Sequence, residues 1–200
     1  MARLAYSKAS LSKIGAKLKR YKKFLPSLDL KRQQLMAERT KAIVALAEIE
    51  QKIKLCRLYV EQQLPMLSDE HIDLTGLVTV KQVVVDEENV VGVKLPFLHD
   101  INIQCHSYSL LAKPHWVDQV VIHLKEMLEL QVQLTVDRQR VDVLQKAVKK
   151  VTQRVNLFEK VLIPQAQKNI AKIKIFLSDA ERAAVVRAKI TKQKRLKEAL

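Results

Sequence analysis

The chain has 200 residues, only 4% of them aromatic, with three glycines and five prolines, so it can bury leucine and valine seams but not a thick aromatic core. Its net charge of +15 points to an acidic partner, whether nucleic acid, an anionic membrane surface or an acidic protein lining. Cys56 and Cys105 form neither a disulfide framework nor a metal spacing and read as reduced thiols of a cytosolic protein. Met1-Ala-Arg-Leu opens a basic, polar segment without an apolar signal region, and no run reaches the ~20 apolar residues that cross a bilayer. A soluble chain that does not itself span a membrane is expected.

The first arm, residues 1–64, carries a 3-4 alternation of apolar residues from Leu11 to Val60. Leu18, Leu35, Leu46 and Ile53 lie on it, and Arg32 and Arg39 interrupt it. A helix of about fifty residues, on the order of 75 Å long, is a coiled-coil strand rather than a globular helix. Pro26 removes a backbone hydrogen bond, and Ser27 and Asp29 are capping types, so a kink or short break is expected there. Before Pro26 the surface carries Lys8, Lys13, Lys17, Lys19, Arg20, Lys22 and Lys23 and no acid. Such a face is either simply solvated or meets an acidic partner.

Pro65 ends this arm, and residues 65–113 form a head of different character. Leu77 to Val85 is rich in β-branched residues, Asp86-Glu87-Glu88-Asn89 reads as a polar turn, and Val90 to Leu95 returns before Pro96. The pattern predicts a β-hairpin over about 77–95 with a four-residue loop. A lone hairpin is marginal in water, so it should pack on the helical base, with Trp116, Val120 and Leu124 as cover. Residues 98–111 fit a third strand or a short helix. Asp86, Glu87 and Glu88 at the hairpin tip are the one acidic cluster on the basic chain; they either meet a basic partner or keep the tip soluble.

The second arm and its tail span residues 114–200, with the helix expected to begin at Pro114. Met127, Leu134, Val141, Val148, Val155 and Leu162 recur every seventh residue. A second column, Leu130, Leu144, Val151 and Phe158, follows three residues later and is broken by Asp137. Beyond Pro164 the apolar positions resume out of phase at Ile170, Ile173, Leu177, Ala180 and Ala184. The tail is basic again, with Arg182, Arg187, Lys189, Lys192, Lys194, Arg195 and Lys197. The fold expected is mainly α: a long antiparallel two-helix coiled coil made by the two arms, with a small hairpin-containing head. Arg32, Arg39, Gln131 and Arg138 in the seam would fix register.

Catalytic chemistry has little to stand on. Gly15, Gly76 and Gly92 are isolated, so no phosphate loop or dinucleotide fingerprint can be built. The five histidines are His71, His99, His106, His115 and His123. Cys105-His106 with His99 nearby matches no standard metal site, and adjacent strand residues point apart, which disfavours a Cys/His nucleophile pair. No catalytic, cofactor-binding or metal-ligating residue is expected.

Three segments resemble the D subunit of vacuolar/archaeal-type rotary ATPases in its bacterial form. The most specific is Arg154-Val155-Asn156-Leu157-Phe158-Glu159-Lys160-Val161-Leu162-Ile163-Pro164. The others are Leu18-Lys19-Arg20 followed by Leu28, Lys31-Arg32 and Leu35, and Asn89-Val90-Val91-Gly92-Val93 leading into Pro96. The likeness covers most of the chain and is weakest over 98–111. Pro26 and Gln165-Ala166-Gln167 depart from the family pattern. The resemblance implies a non-catalytic central-stalk shaft whose terminal helices project into a ring of alternating A and B subunits. The head would sit beside the F subunit and the C (or d) subunit that docks on the membrane ring. ATP would be bound by A and B, and rotation would couple its hydrolysis or synthesis to proton or sodium movement. The shaft would then be cytoplasmic, peripheral to the membrane, and bind no nucleic acid. The competing reading from charge alone is a basic coiled coil that binds nucleic acid. Few aromatics for stacking, and basic residues crowded at the termini, weigh against it.

Overall fold

The structure is a computed structural model, and it describes residues 5–68, 74–109 and 113–198. Met1-Ala-Arg-Leu, His71, Leu110, Leu111 and the Lys197 side chain lie outside what is described.

Helix α1 spans Lys8–Gln63. Ser7 caps it: its carbonyl accepts the Leu11 N–H at 3.0 Å, and its Oγ accepts the Ser10 N–H at 3.2 Å. The helix runs through Pro26, so of the kink or short break expected there the break does not occur. The Ser27 hydroxyl donates to the Phe24 carbonyl at 2.9 Å, so one carbonyl near the proline has a side-chain partner. Helix α1 stops before Pro65, which opens a single 3₁₀ turn, Pro65–Ser68.

Strands β1 (Val78–Val90) and β2 (Val93–Cys105) pair antiparallel. The hairpin is longer than expected and turns elsewhere. Asp86 to Asn89 do not form the loop; they pair in β1 with Phe97, Pro96, Leu95 and Lys94. The turn is the two-residue Val91-Gly92, with φ of 52° and 75°. Two positive φ values in a two-residue loop are what a type I′ turn requires, because its twist matches that of the strands. Strand β2 continues through Cys105, so much of 98–111 is the second strand itself rather than a third strand or a helix. Register shifts between Val80 and Gln82, and between Val84 and Val85, mark two bulges.

Helix α2 (Trp116–Asn156) begins two residues after Pro114, whose carbonyl accepts the Val117 N–H at 3.1 Å. It passes into a π-helical stretch, Leu157–Leu162, and on into helix α3 (Ile163–Glu198). The wide turn is visible in one bond: the Ile163 N–H reaches back to the Phe158 carbonyl. Pro164 follows at once, and a proline has no N–H to give the ordinary bond.

The chain divides into two compact units, Arg32–Lys150 on one hand and Met1–Lys31 with Val151–Leu200 on the other. In the first, α1 and α2 run antiparallel. Ile49 and Ile53 bury against Leu134, with Leu46, Met127 and Leu130 alongside. Nearer the hairpin, Leu64, Leu77, Trp116, Val117 and Val120 form one core, joined by Val78 and Tyr108. Trp116 and Val120 are thus the cover expected for the hairpin base. Burying each such side chain contributes roughly 1.5–3 kcal/mol. Leu35, Leu95 and Leu144 are also fully buried. In the second unit, Tyr21 meets Phe158 edge-on at 5.4 Å, Tyr6 lies 4.9 Å from Phe176, and Lys8 pairs with Glu181 at 3.3 Å. Early residues of α1 therefore meet late residues of α3, again antiparallel. Val151, Val155, Ala166 and Ile173 are its buried seam. The fold class is the one the sequence suggested: mainly α, with long paired helices of coiled-coil type and a two-stranded hairpin.

Candidate partner interface

Charge is divided between the two units far more sharply than the chain average suggests. Residues 1–31 and 151–200 hold 21 Lys and Arg against five Asp and Glu, a net of +16. Residues 32–150 hold 15 against 16, a net of −1. The whole excess therefore belongs to the unit that contains both ends of the chain. Its predicted partner-binding cations are all exposed: Lys13, Lys17, Lys19, Arg20, Lys22 and Lys23 on α1, and Arg187, Lys189 and Lys192 on α3. Two helices bring them into one unit. A field of this size attracts an anionic surface over roughly a Debye length, about 8 Å at physiological salt.

The acidic cluster has a different setting. Glu87 pairs with Lys94 at 2.7 Å across the hairpin and holds that ammonium pKa above its ordinary value. Glu88 accepts from Arg140 of α2 at 2.9 Å, and Asp86 lies 3.5 Å from His99. These carboxylates and Asn89 are exposed, and the three acids already have partners within the chain. The Arg140–Glu88 contact ties the hairpin to the side of α2.

Of the predicted seam residues, Leu35, Ile53, Leu134, Val148 and Val155 are buried, and Leu18, Leu46, Val141 and Leu162 are half-buried. Arg138, expected to set register, donates to Glu50 of α1 at 3.1 Å. That pair is largely exposed, so it contributes at most about 1 kcal/mol. At Asp137, the break in the seam, burial raises the carboxyl pKa, and Arg140 partly offsets the shift.

Two surfaces were not legible in the sequence. An apolar groove of about 550 Å³ opens between the end of α1 and the start of α2, lined by Val60, Leu64, Leu67, Leu74 and Leu124 among others. Beside it, Cys56 of α1 approaches His123 and Glu126 of α2. The residues considered for metal on the hairpin have separate partners instead: His106 contacts Thr79 at 3.1 Å and His99 faces Asp86.

The geometry is that of a long-helix pairing protein with a strongly cationic terminal unit, and no helix among the described residues is long and apolar enough to cross a membrane. The family model for the D subunit of ATP synthase matches residues 10–193. The V-type ATP synthase D subunit of Borreliella burgdorferi is 35% identical over 203 residues, covering 98% of this chain and 97% of that protein. The proteins of the same name from Chlamydia pneumoniae and Chlamydia caviae are 33% and 34% identical, each covering 89% of this chain and 86% of their own length. The chain belongs to the ATP synthase D-subunit family, the non-catalytic stalk component of V-type ATP synthases.

Proposed function

We propose that this chain is the central rotor shaft of a V-type ATP synthase. It couples ATP hydrolysis or synthesis in a ring of A and B subunits to proton or sodium translocation, at the cytoplasmic side of the membrane. The observation that carries the reading is the concentration of the entire positive excess in the unit built from both chain ends. A shaft must turn inside its bearing without sticking. Long-range attraction between a cationic tip and an acidic lining holds it centred, whereas deep apolar pockets would trap one orientation. Paired helices supply resistance to bending and twisting. The apolar groove at the head and the Arg140–Glu88 tether support a second role for the Arg32–Lys150 unit, docking beside the F subunit and the C (or d) subunit.

The test is replacement of Lys17, Lys19, Lys22 and Lys23 together by glutamine. The isolated variant should keep wild-type helicity and melt at or above the wild-type temperature, because four repelling charges are removed. The reconstituted complex should lose torque, or lose ion transport per ATP hydrolysed, by at least severalfold. Normal coupling would discard the electrostatic bearing. Failure of the wild-type chain to co-purify stoichiometrically with A and B subunits would discard the shaft assignment itself.

A further inference from the structure

Cys56, His123 and Glu126 are brought together by the antiparallel pairing of α1 and α2 within one unit. Their thiol, imidazole and carboxylate ligand atoms all lie within 4.8 Å of one another. Among the described residues they form the one such trio of potential metal ligands. His123 and Glu126 are three apart on α2 and so share a helix face. Their closest approach, Nδ1 to Oε2, is 3.5 Å. Nitrogen and oxygen ligands of a tetrahedral ion, with bonds of about 2.0–2.2 Å, stand roughly 3.3–3.6 Å apart, so this pair has a spacing that a shared metal accepts.

A second observation concerns the burial of the same nitrogen. The Nδ1 atom of His123 is inaccessible to solvent and makes no hydrogen bond among the described residues. Its nearest polar neighbour is the Glu126 carboxylate, 3.5 Å away and beyond good hydrogen-bond distance, so the buried nitrogen is poorly satisfied without an ion between the two. The Tyr59 ring lies 4.6 Å from the imidazole and restrains its plane. Cys56 is half-buried, whereas Glu126 is exposed and has three side-chain torsions with which to close the remaining gap. A groove of about 610 Å³ lined by Cys56, Tyr59, His123, Glu126 and Gln133 gives an ion its route in and leaves space for a water as fourth ligand.

We propose that Cys56, His123 and Glu126 form a Zn²⁺ site that staples α1 to α2. The donor set selects the metal: a soft thiolate with an imidazole and one carboxylate suits Zn²⁺ and its spectroscopic substitute Co²⁺, and disfavours Mg²⁺ and Ca²⁺. On binding, the Cys56 thiol releases its proton to solvent as the metal–sulfur bond forms, and the His123 Nδ1 lone pair becomes a ligand. The site closes with three protein ligands and one water. It contributes no chemistry to ATP turnover; it fixes the two helices next to the hairpin base.

The experiment uses the full chain, stripped with a chelator and titrated with Co²⁺, then with Zn²⁺. One equivalent of Co²⁺ should give tetrahedral d–d bands and a thiolate-to-cobalt charge-transfer band, both removed by one equivalent of Zn²⁺, and Zn²⁺ should raise the melting temperature. Cys56→Ser should abolish the charge-transfer band and weaken binding at least about tenfold. Glu126→Gln should keep the band but weaken binding. Cys105→Ser should behave as wild type, which guards against a hairpin site. A missing thiolate band, equal affinity in Cys56→Ser or in Glu126→Gln, or loss of binding in Cys105→Ser would each overturn the proposal.

Discussion

Val91 stands at the first central position of the hairpin turn with φ of 52°. A β-branched side chain is disfavoured there, at a cost of order 1–3 kcal/mol, whereas asparagine tolerates the left-handed region and is preferred in this turn. Val91→Asn should stabilise the hairpin by about 1 kcal/mol, seen as slower amide exchange at Val90 and Val93; unchanged exchange would show that the turn is not strained. This residue also explains the misplaced loop. Asp86 to Asn89 are the polar residues expected of a turn, while Val-Val-Gly-Val looks like strand, so composition points upstream of the real turn. The lone Gly92 is the true marker. Asp137 carries a second prediction. Its folded pKa lies above the unfolded value of 3.8, so the native state holds the proton more tightly. Stability should rise as pH falls through the folded pKa towards 3.8, and the charged form should cost stability above it. Asp137→Asn is expected to raise stability at neutral pH by on the order of 0.5 kcal/mol after solvent screening, and the gain should vanish in acid; urea titrations at several pH values measure it.

The π-helical stretch Leu157–Leu162 accounts for the phase change beyond Pro164. An unbroken alternation through Val151, Val155, Phe158 and Leu162 would next place seam residues at 165 and 172. The buried residues are instead Ala166 and Ile173, one position later. A π turn takes in one extra residue and returns the chain to the same face, so the sequence surplus and the wide turn are the same fact. Deleting Glu159, which is exposed, should therefore convert the stretch to regular α-helix with Ile163, Ala166 and Ile173 all on the seam. The deletion variant should melt at or above the wild-type temperature. A fall of several degrees would show that the turn is not a simple insertion. The heptads on either side were legible because their periodicity is a property of the sequence. Pro26 reads as a break only when the proline is weighed alone; a long helix held along its length by seam contacts tolerates one missing bond. The Cys56–His123–Glu126 trio was invisible because metal-site spacing is read along one segment, and these ligands come from two helices whose pairing register decides who meets whom.

At the scale of the whole chain, the excess of charge was plain from composition, and the crowding of cations towards both termini was plain from the sequence. What needed the structure was the grouping of both chain ends into one unit, with the near-neutral stretch between them as the other. A net of +16 confined to one unit and −1 in the other means that ionic strength acts on half of the molecule. In dilute buffer the terminal unit works against its own repulsion, and added salt screens it. Amide exchange in residues 8–31 and 151–195 should slow on going from low to physiological salt, while exchange in 32–150 stays level; a uniform response would refute the division. The isolated protein is thus a poor stand-in for the assembled one at its ends. On the proposed reading, an anionic surface closing around the terminal unit would act as counter-ion and tighten its helices, so joining a partner would be for this unit also a final step of folding.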